Sequence, residues 1–314
     1  MMLLSVEGLT IDAGGRRPIL HDVSLAVGAG EIVGLVGESG SGKSTIARSV
    51  LRLLPQRARA SGRVLVEGDD VLTMSARQLR GLRASRVAMI YQDPRSSLNP
   101  VRRIGDFLTE RLVHTLGRPK GAARATALEL LTAVGLRDPE LRLRQYPHEL
   151  SGGMLQRVVI AAALAAGPSL LLADEATSAL DVTTQAETLA LLRRVQAERG
   201  LGMLFITHDL HLAAAFCDRV HVLYAGTVVE SRPAKELFAD PRHPYTAGLL
   251  ACTPQLGDPR PIRPIPGRPP SLDDAFTGCP FTPRCPHATD PCADRRPEPL
   301  PVDGGTAACH LLEV

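Results

Sequence analysis

Apolar residues dominate three short runs in residues 3–36, and the runs are LLSVEGLTI, VSLAV and EIVGLV. Such runs of Leu, Val and Ile predict β-strands. Further along, 64–66 and 87–90 predict two more strands, and 43–54 has the spacing of a helix. The first third of the chain is therefore expected to be rich in β structure.

The pattern becomes helical from about 101 to 143, with amphipathic stretches at 104–116 and 122–134. Ser151-Gly152-Gly153 then opens a helix that is expected to run through Ala165. These helices interrupt the alternation of strands and helices, so an inserted helical subdomain is predicted at about 97–165.

The next run, 169–173, is wholly apolar, which is typical of a strand buried on both faces. The remaining predicted elements are a helix at 183–199, a strand at 202–207, a short helix at 210–217 and two strands near 219–230. This alternation predicts an α/β core with a mainly parallel sheet.

Composition narrows the class of protein. The chain has 314 residues, 44% of them hydrophobic, and a net charge of +3, which gives no charge signal for nucleic-acid binding. The longest apolar run, around 158–166, is too short to cross a bilayer, and no N-terminal signal pattern is present. The expectation is a cytosolic chain.

The stretch GESGSGKST directly follows the strand EIVGLV and has the spacing G-x-x-x-x-G-K-[ST]. Bare backbone N–H groups in such a loop cradle phosphate oxygens, Lys43 would reach the β- and γ-phosphates, and Ser44 would ligate Mg²⁺. The alternative is an ordinary surface turn. The candidate nucleotide-binding residues are Gly37, Glu38, Ser39, Gly40, Ser41, Gly42, Lys43, Ser44 and Thr45.

Two acids end the buried run LLLADE. Asp174 is placed to ligate Mg²⁺, and Glu175 to act as general base on the attacking water. The alternative is a pair of acids at a helix N-terminus. The glycine-rich loop upstream favours the metal interpretation.

The octet LSGGMLQR, which contains Ser151, Gly152 and Gly153, resembles the signature motif of ABC-type ATPases. Gln92 matches the Q-loop of that family, Asp181 the D-loop SALD, and His208 the switch histidine. Taken singly, the Ser-Gly-Gly is an ordinary cap, Gln92 an exposed turn residue and His208 a strand-end histidine. The six motifs occur in the same order as in that family, and on this resemblance residues 1–235 are identified as an ABC ATPase domain.

The resemblance implies a P-loop ATPase core with an antiparallel β subdomain, in which two domains pair head to tail. ATP would lie between the phosphate loop of one domain and Ser151, Gly152 and Gly153 of the other, Gln92 would help to hold Mg²⁺, and His208 would contact the γ-phosphate. Two departures stand out: residues 1–90 contain no aromatic to stack on adenine, with Ile11 to Ala13 in that region, and Ala176 replaces the usual proline.

Four cysteines, Cys279, Cys285, Cys292 and Cys309, lie beyond the proline-rich stretch PIRPIPGRPP, which is expected to be extended. Disulfides are not expected in a cytosolic chain, and the spacing lacks the paired knuckles of zinc sites. A [4Fe–4S] cluster, zinc or no metal remain the possibilities.

Residues 236–314 resemble the C-terminal extension of oligopeptide/dipeptide importer ATPases, on HPYT at 243–246 and CPFTPRCP at 279–286. The resemblance implies a [4Fe–4S] cluster on those four cysteines, with Cys217 and Cys252 as core thiols. It also implies a second ATPase subunit, identical or paralogous, two membrane permeases, an extracytoplasmic solute-binding protein and a place on the cytoplasmic face of the membrane. The alternatives are a nickel or metal-chelate importer, and a soluble ABC ATPase outside transport.

Overall fold

The computed structural model describes residues 1–15, 17–178, 180–253 and 263–313. The strands are β1 (Met2–Asp12), β2 (Leu20–Gly28), β3 (Ile32–Val36), β4 (Arg59–Val66), β5 (Asp69–Asp70), β6 (Val87–Ile90), β7 (Leu170–Asp174), β8 (Gly202–Ile206), β9 (Arg219–Tyr224), β10 (Thr227–Pro233), β11 (Leu300–Val302) and β12 (Gly305–Ala307). The helices are α1 (Lys43–Val50), α2 (Ala76–Gly81), α3 (Ile104–Glu110), α4 (Lys120–Ala133), α5 (Pro139–Arg144), α6 (Gly152–Leu164), α7 (Val182–Arg199), α8 (Leu210–Phe216), α9 (Ala234–Ala239), α10 (Pro244–Ala251) and α11 (Asp290–Asp294).

The described chain forms two compact units. The first comprises Met1 and residues 28–31 and 73–204, and the second comprises 2–27, 32–72 and 205–314. The division falls inside β8. No helix among the described residues has both the length and the apolar character needed to cross a bilayer.

The first unit contains the predicted helical stretch and two buried parallel strands. β6 pairs in parallel with β7, from Val87 opposite Leu170 to Ile90 opposite Ala173. All five residues of β7 are buried, as its apolar run predicted. Helices α3 to α6 pack against one another through apolar residues such as Leu108 and Leu131, which are almost fully buried.

The second unit contains two sheets. β1 lies between β2 and β4 and pairs antiparallel with β4, while β3 pairs in parallel with β9. The predicted combination of a parallel core and an antiparallel β subdomain is therefore present. The strands β3 and β9 carry the phosphate loop and the β9–β10 turn at neighbouring ends.

Helix α1 is shorter than the sequence predicted. It ends at Val50 instead of continuing to residue 54. Arg52 adopts a left-handed backbone with φ 48°, which reverses the chain ahead of Pro55. The apolar residues Leu51, Leu53 and Leu54 continued the helical pattern, but the turn at Arg52 ends the helix.

The C-terminal extension is more regular than the irregular tail that the sequence predicted. Besides α9 to α11 it contains the hairpin β11–β12, and β12 pairs antiparallel with β10, with Glu230 opposite Ala307. Gly305 permits this pairing, since a Cβ there would lie 1.8 Å from the Ser231 carbonyl oxygen. The sequence signal for this hairpin is Asp303-Gly304, which forms its two-residue turn, with Gly304 at φ 73°. Residues 263–270 have no regular secondary structure, as the prolines predicted, while Pro261 and Ile262 lie outside the described residues.

His221 on β9 makes folding sensitive to acid. The imidazole is 5% exposed, neither ring nitrogen has a hydrogen-bond partner among the described residues, and burial lowers its pKa from 6.5 to about 4. The unfolded chain takes up a proton as the pH falls below 6.5, whereas the folded chain does so only near pH 4. Stability should therefore fall between pH 6.5 and 4, by up to about 1.4 kcal/mol per pH unit for this residue.

The His221→Leu variant should show a shallower loss of stability over that range, measured by urea unfolding at a series of pH values. Burial lowers the pKa of His243 to about 3, so part of the slope remains in the variant. His114→Leu, at an exposed position, is the matched control and should keep the wild-type slope. An unchanged slope in His221→Leu would contradict this assignment.

Candidate functional site

The phosphate loop, residues 37–45, leaves β3 at Gly37 and enters α1 after Gly42, and an added Cβ would clash at both of these glycines. A Cβ at Gly37 would lie 2.2 Å from the Leu223 carbonyl oxygen, and a Cβ at Gly42 would lie 2.6 Å from Leu20 Cδ2. Both glycines have positive φ, 148° and 107°. At these two positions the loop packs closely against Leu223 and Leu20, so only glycine fits without displacing them.

Lys43 and Ser41 indicate that this loop suits a phosphate group. Lys43 Nζ donates to the carbonyl oxygens of Gly37 at 2.7 Å and Glu38 at 2.9 Å, so its ammonium group is folded back over the loop. The Ser41 hydroxyl is buried without a hydrogen-bond partner among the described residues. A Cβ at Gly40 would have no atom of the described residues within 4 Å. A cation, an unsatisfied hydroxyl and an open backbone at a helix N-terminus fit the phosphates of ATP. Ser44, at the start of α1, fits a role as Mg²⁺ ligand.

Glu38 in the same loop is held from three directions. Its carboxylate accepts two hydrogen bonds from Arg284, its backbone N–H donates to the Tyr245 hydroxyl at 2.9 Å, and its carbonyl accepts from Lys43. The glycine-rich motif in the sequence placed Glu38 in the loop, but no sequence pattern pointed to Arg284 or Tyr245. Both lie in the C-terminal extension, inside the very motifs that suggested the importer family.

Two of the predicted site residues, Gln92 and Glu175, are in direct contact. Gln92 Nε2 donates to Glu175 Oε2 at 3.0 Å. Glu175 has a left-handed backbone, φ 50°, directly after β7, and Asp174 at the end of that strand is 6% exposed. A strained acidic residue at a strand end is an arrangement that active sites often retain.

Ser151 and Asp181 both cap helices. Ser151 Oγ accepts from the Met154 N–H at 3.3 Å at the start of α6, and Asp181 accepts from the Thr184 N–H at 3.0 Å at the start of α7. The hydrogen bond with that N–H lowers the pKa of Asp181. Both residues are exposed.

Gly152 and Gly153 differ in their surroundings. A Cβ at Gly152 would have open space around it, whereas a Cβ at Gly153 would lie 2.7 Å from the Thr184 methyl group. Gly153 therefore permits the close approach of Thr184 to the start of α6. No pattern in the sequence indicated this close contact.

His208 lies exposed between β8 and α8, in the turn where the switch histidine was expected. The next residue, Asp209, caps α8 by accepting from the Leu212 N–H at 3.0 Å. Ala179 of the predicted D-loop lies outside the described residues.

The four tail cysteines line one small cavity together with His243, Phe281 and His310. Burial raises the pKa of Cys279, Cys285 and Cys309. Four thiols are a donor set that suits iron–sulfur clusters or zinc. In the described part of the chain, however, no three Cys, His, Asp or Glu side chains are arranged as a metal site.

The other two cysteines differ in burial. Cys217 is 6% exposed and is a core thiol, as expected. Cys252 is only half-buried, and its Sγ lies 3.0 Å from the Arg263 carbonyl oxygen. The expectation of a core thiol was wrong there, because α10 ends at Ala251 and leaves Cys252 at its C-cap.

Comparison with known families matches two regions. The ABC transporter family matches residues 20–178, and the oligopeptide/dipeptide transporter C-terminal region matches residues 229–292. The first match contains the phosphate loop, Gln92, the signature motif, Asp174 and Glu175. The second contains Tyr245 and Arg284.

The chain is also similar to individual proteins. It is 47% identical over 99% of its length to the "Oligopeptide transport ATP-binding protein OppD" of Mycobacterium tuberculosis, of which it covers 52%. The corresponding protein of Salmonella typhimurium is 43% identical over 98% of this chain and 93% of that protein. A dimeric bacterial ABC transporter cassette, MJ0796, superimposes with a TM-score of 0.65 at 28% identity, covering 74% of this chain and 99% of that one.

The chain thus spans about half the length of the mycobacterial relatives and nearly the whole of the Salmonella one. The family matches cover both the phosphate-loop domain and the extension that holds Glu38. The chain belongs to the ABC transporter family, in the group of oligopeptide/dipeptide transport ATP-binding proteins.

Proposed function

We propose that this chain is the ATP-hydrolysing subunit that energises import of di- or oligopeptides. The observation that carries the proposal is the phosphate loop, with Lys43 folded over it and the buried Ser41 hydroxyl unsatisfied. The names of relatives with 43–47% identity along nearly the whole chain support peptides as the cargo.

In this proposal the loop backbone and Lys43 bind the triphosphate, and Ser44, Gln92 and Asp174 hold Mg²⁺. The bound ion would neutralise charge on the phosphates. Glu175 takes a proton from the attacking water, and its hydrogen bond with Gln92 supports a joint role. His208 is proposed to contact the γ-phosphate.

We infer that two such domains pair head to tail, with Ser151, Gly152 and Gly153 of one subunit and its Asp181 facing the ATP of the other. The dimeric state of the MJ0796 cassette supports this arrangement. The second subunit is identical or paralogous. Two membrane permeases and an extracytoplasmic solute-binding protein complete the proposed transporter, with this chain at the cytoplasmic face of the membrane.

The cysteine cavity is proposed to hold a [4Fe–4S] cluster, with zinc as the alternative. The support is the donor set, since four thiols converge on one cavity. The side chains would have to turn toward a common centre to bind it. The cluster is given no part in ATP hydrolysis.

Changing Glu175 to Gln should preserve ATP binding and lower turnover in the assembled transporter by ~10²–10⁴-fold, as for loss of a general base. The measurement is phosphate release at saturating ATP beside nucleotide affinity. Glu198→Gln on α7, whose side chain is 64% exposed, is the matched control and should hydrolyse ATP at the wild-type rate. Near-normal turnover in Glu175→Gln would remove this residue from the role.

Anaerobic purification should yield about four irons and four sulfides per chain, with an absorbance band at about 400 nm. Cys309→Ser should lose most of this iron, whereas Cys252→Ser, at a cysteine outside the cavity, should keep it. One zinc with no iron would replace the cluster by a zinc site. A chain that binds ATP but carries no metal would contradict the proposal for the cavity.

A further inference from the structure

Arg284 connects the cysteine-bearing part of the extension to the phosphate loop. Its Nη1 lies 2.7 Å from Glu38 Oε2, and its Nη2 lies 3.0 Å from Glu38 Oε1. This is the two-pronged geometry in which arginine binds a carboxylate most strongly. The Arg284 side chain is 5% exposed and that of Glu38 is 23% exposed, so water screens the pair only in part.

The arginine is fixed in place by other contacts. Its Nε donates to the Pro266 carbonyl oxygen at 2.8 Å, and its guanidinium carbon lies 5.9 Å from the centre of the Tyr224 ring. Arg284 ends the short 3₁₀ turn Thr282–Arg284, between Cys279 and Cys285. The guanidinium therefore has little freedom to leave Glu38.

Tyr245 holds the backbone of the same glutamate. It is fully buried, and its hydroxyl accepts the Glu38 N–H at 2.9 Å. His243 fixes the start of its helix, because His243 Nδ1 accepts from the Tyr245 N–H at 3.0 Å. The ring of Phe281 packs against Tyr245 with centroids 5.3 Å apart. One side of the phosphate loop thus rests on the extension.

The charge of Glu38 is a problem for a loop that binds phosphates. A carboxylate in this position repels an incoming triphosphate, and partial burial strengthens that repulsion. The ion pair with Arg284 cancels the charge. Glu38 can then serve as an anchor for the loop without opposing the ligand.

We propose that Arg284 is a positioning residue for nucleotide binding: it neutralises Glu38 and, together with Tyr245, ties the phosphate loop to the C-terminal extension. The inference rests on the proposed function, because it requires that the loop bind ATP. The ligand class is the magnesium complex of a nucleoside triphosphate. Arg284 acts through Glu38 and makes no contact with the nucleotide in this proposal.

A double-mutant cycle tests the proposal on the full-length chain. Affinity for Mg–ATP is measured by equilibrium dialysis for wild type, Arg284→Gln, Glu38→Gln and the double variant, and thermal melting verifies that each is folded. Arg284→Gln should weaken binding about tenfold, within the usual range of such couplings. In the Glu38→Gln background the same substitution should change affinity by less than about twofold, because no charge is left to cancel.

Controls separate this effect from a general loss of charge or of folding. Arg268→Gln removes a 71% exposed arginine of the same extension, paired with Asp274, and should leave affinity unchanged. If Arg284→Gln does not fold, Arg284→Met keeps the buried stem and should show the same loss and the same rescue.

The outcomes distinguish the two proposals. Wild-type affinity in folded Arg284→Gln would overturn the positioning role, and so would an equally large loss in the Glu38→Gln background. A wild-type chain with no Mg–ATP binding would overturn the proposed function itself.

Discussion

The fixed position of Glu38 is the constraint on which the rest of the site depends. Its carboxylate, its N–H and its carbonyl oxygen are each held by a different side chain, those of Arg284, Tyr245 and Lys43. Gly37 and Gly42 on either side have no room for a side chain. The conformation of the loop is thus set by surrounding structure before any nucleotide arrives, which reduces the entropy lost on binding.

This arrangement gives the C-terminal extension a physical connection to the phosphate loop. The HPYT sequence supplies Tyr245 and its helix cap His243, and the cysteine-rich sequence supplies Arg284 and Phe281. Phe281 packs on both Tyr224 and Tyr245, so the two sequences form one aromatic cluster behind the loop. A rearrangement of the cysteines that moved Arg284 would alter its two hydrogen bonds with the Glu38 carboxylate.

The sequence predicted those features that depend on residues close together along the chain. The strand, glycine-rich loop and helix at 32–50 were foreseen, as was the acidic end of β7, because each is a local pattern. The Arg284–Glu38 pair was not, because 246 positions separate its members and no periodicity connects them. The packing role of Gly153 against Thr184 and the pairing of β12 with β10 are long-range contacts of the same kind.

The most direct measurement is an experimental structure of the full-length chain with Mg–ATP bound. We expect the phosphates to lie in the 37–45 loop while Arg284 still binds the Glu38 carboxylate and the Tyr245 hydroxyl still accepts the Glu38 N–H. Nucleotide bound in the loop with Glu38 released from both residues would contradict the claim that the extension positions the loop.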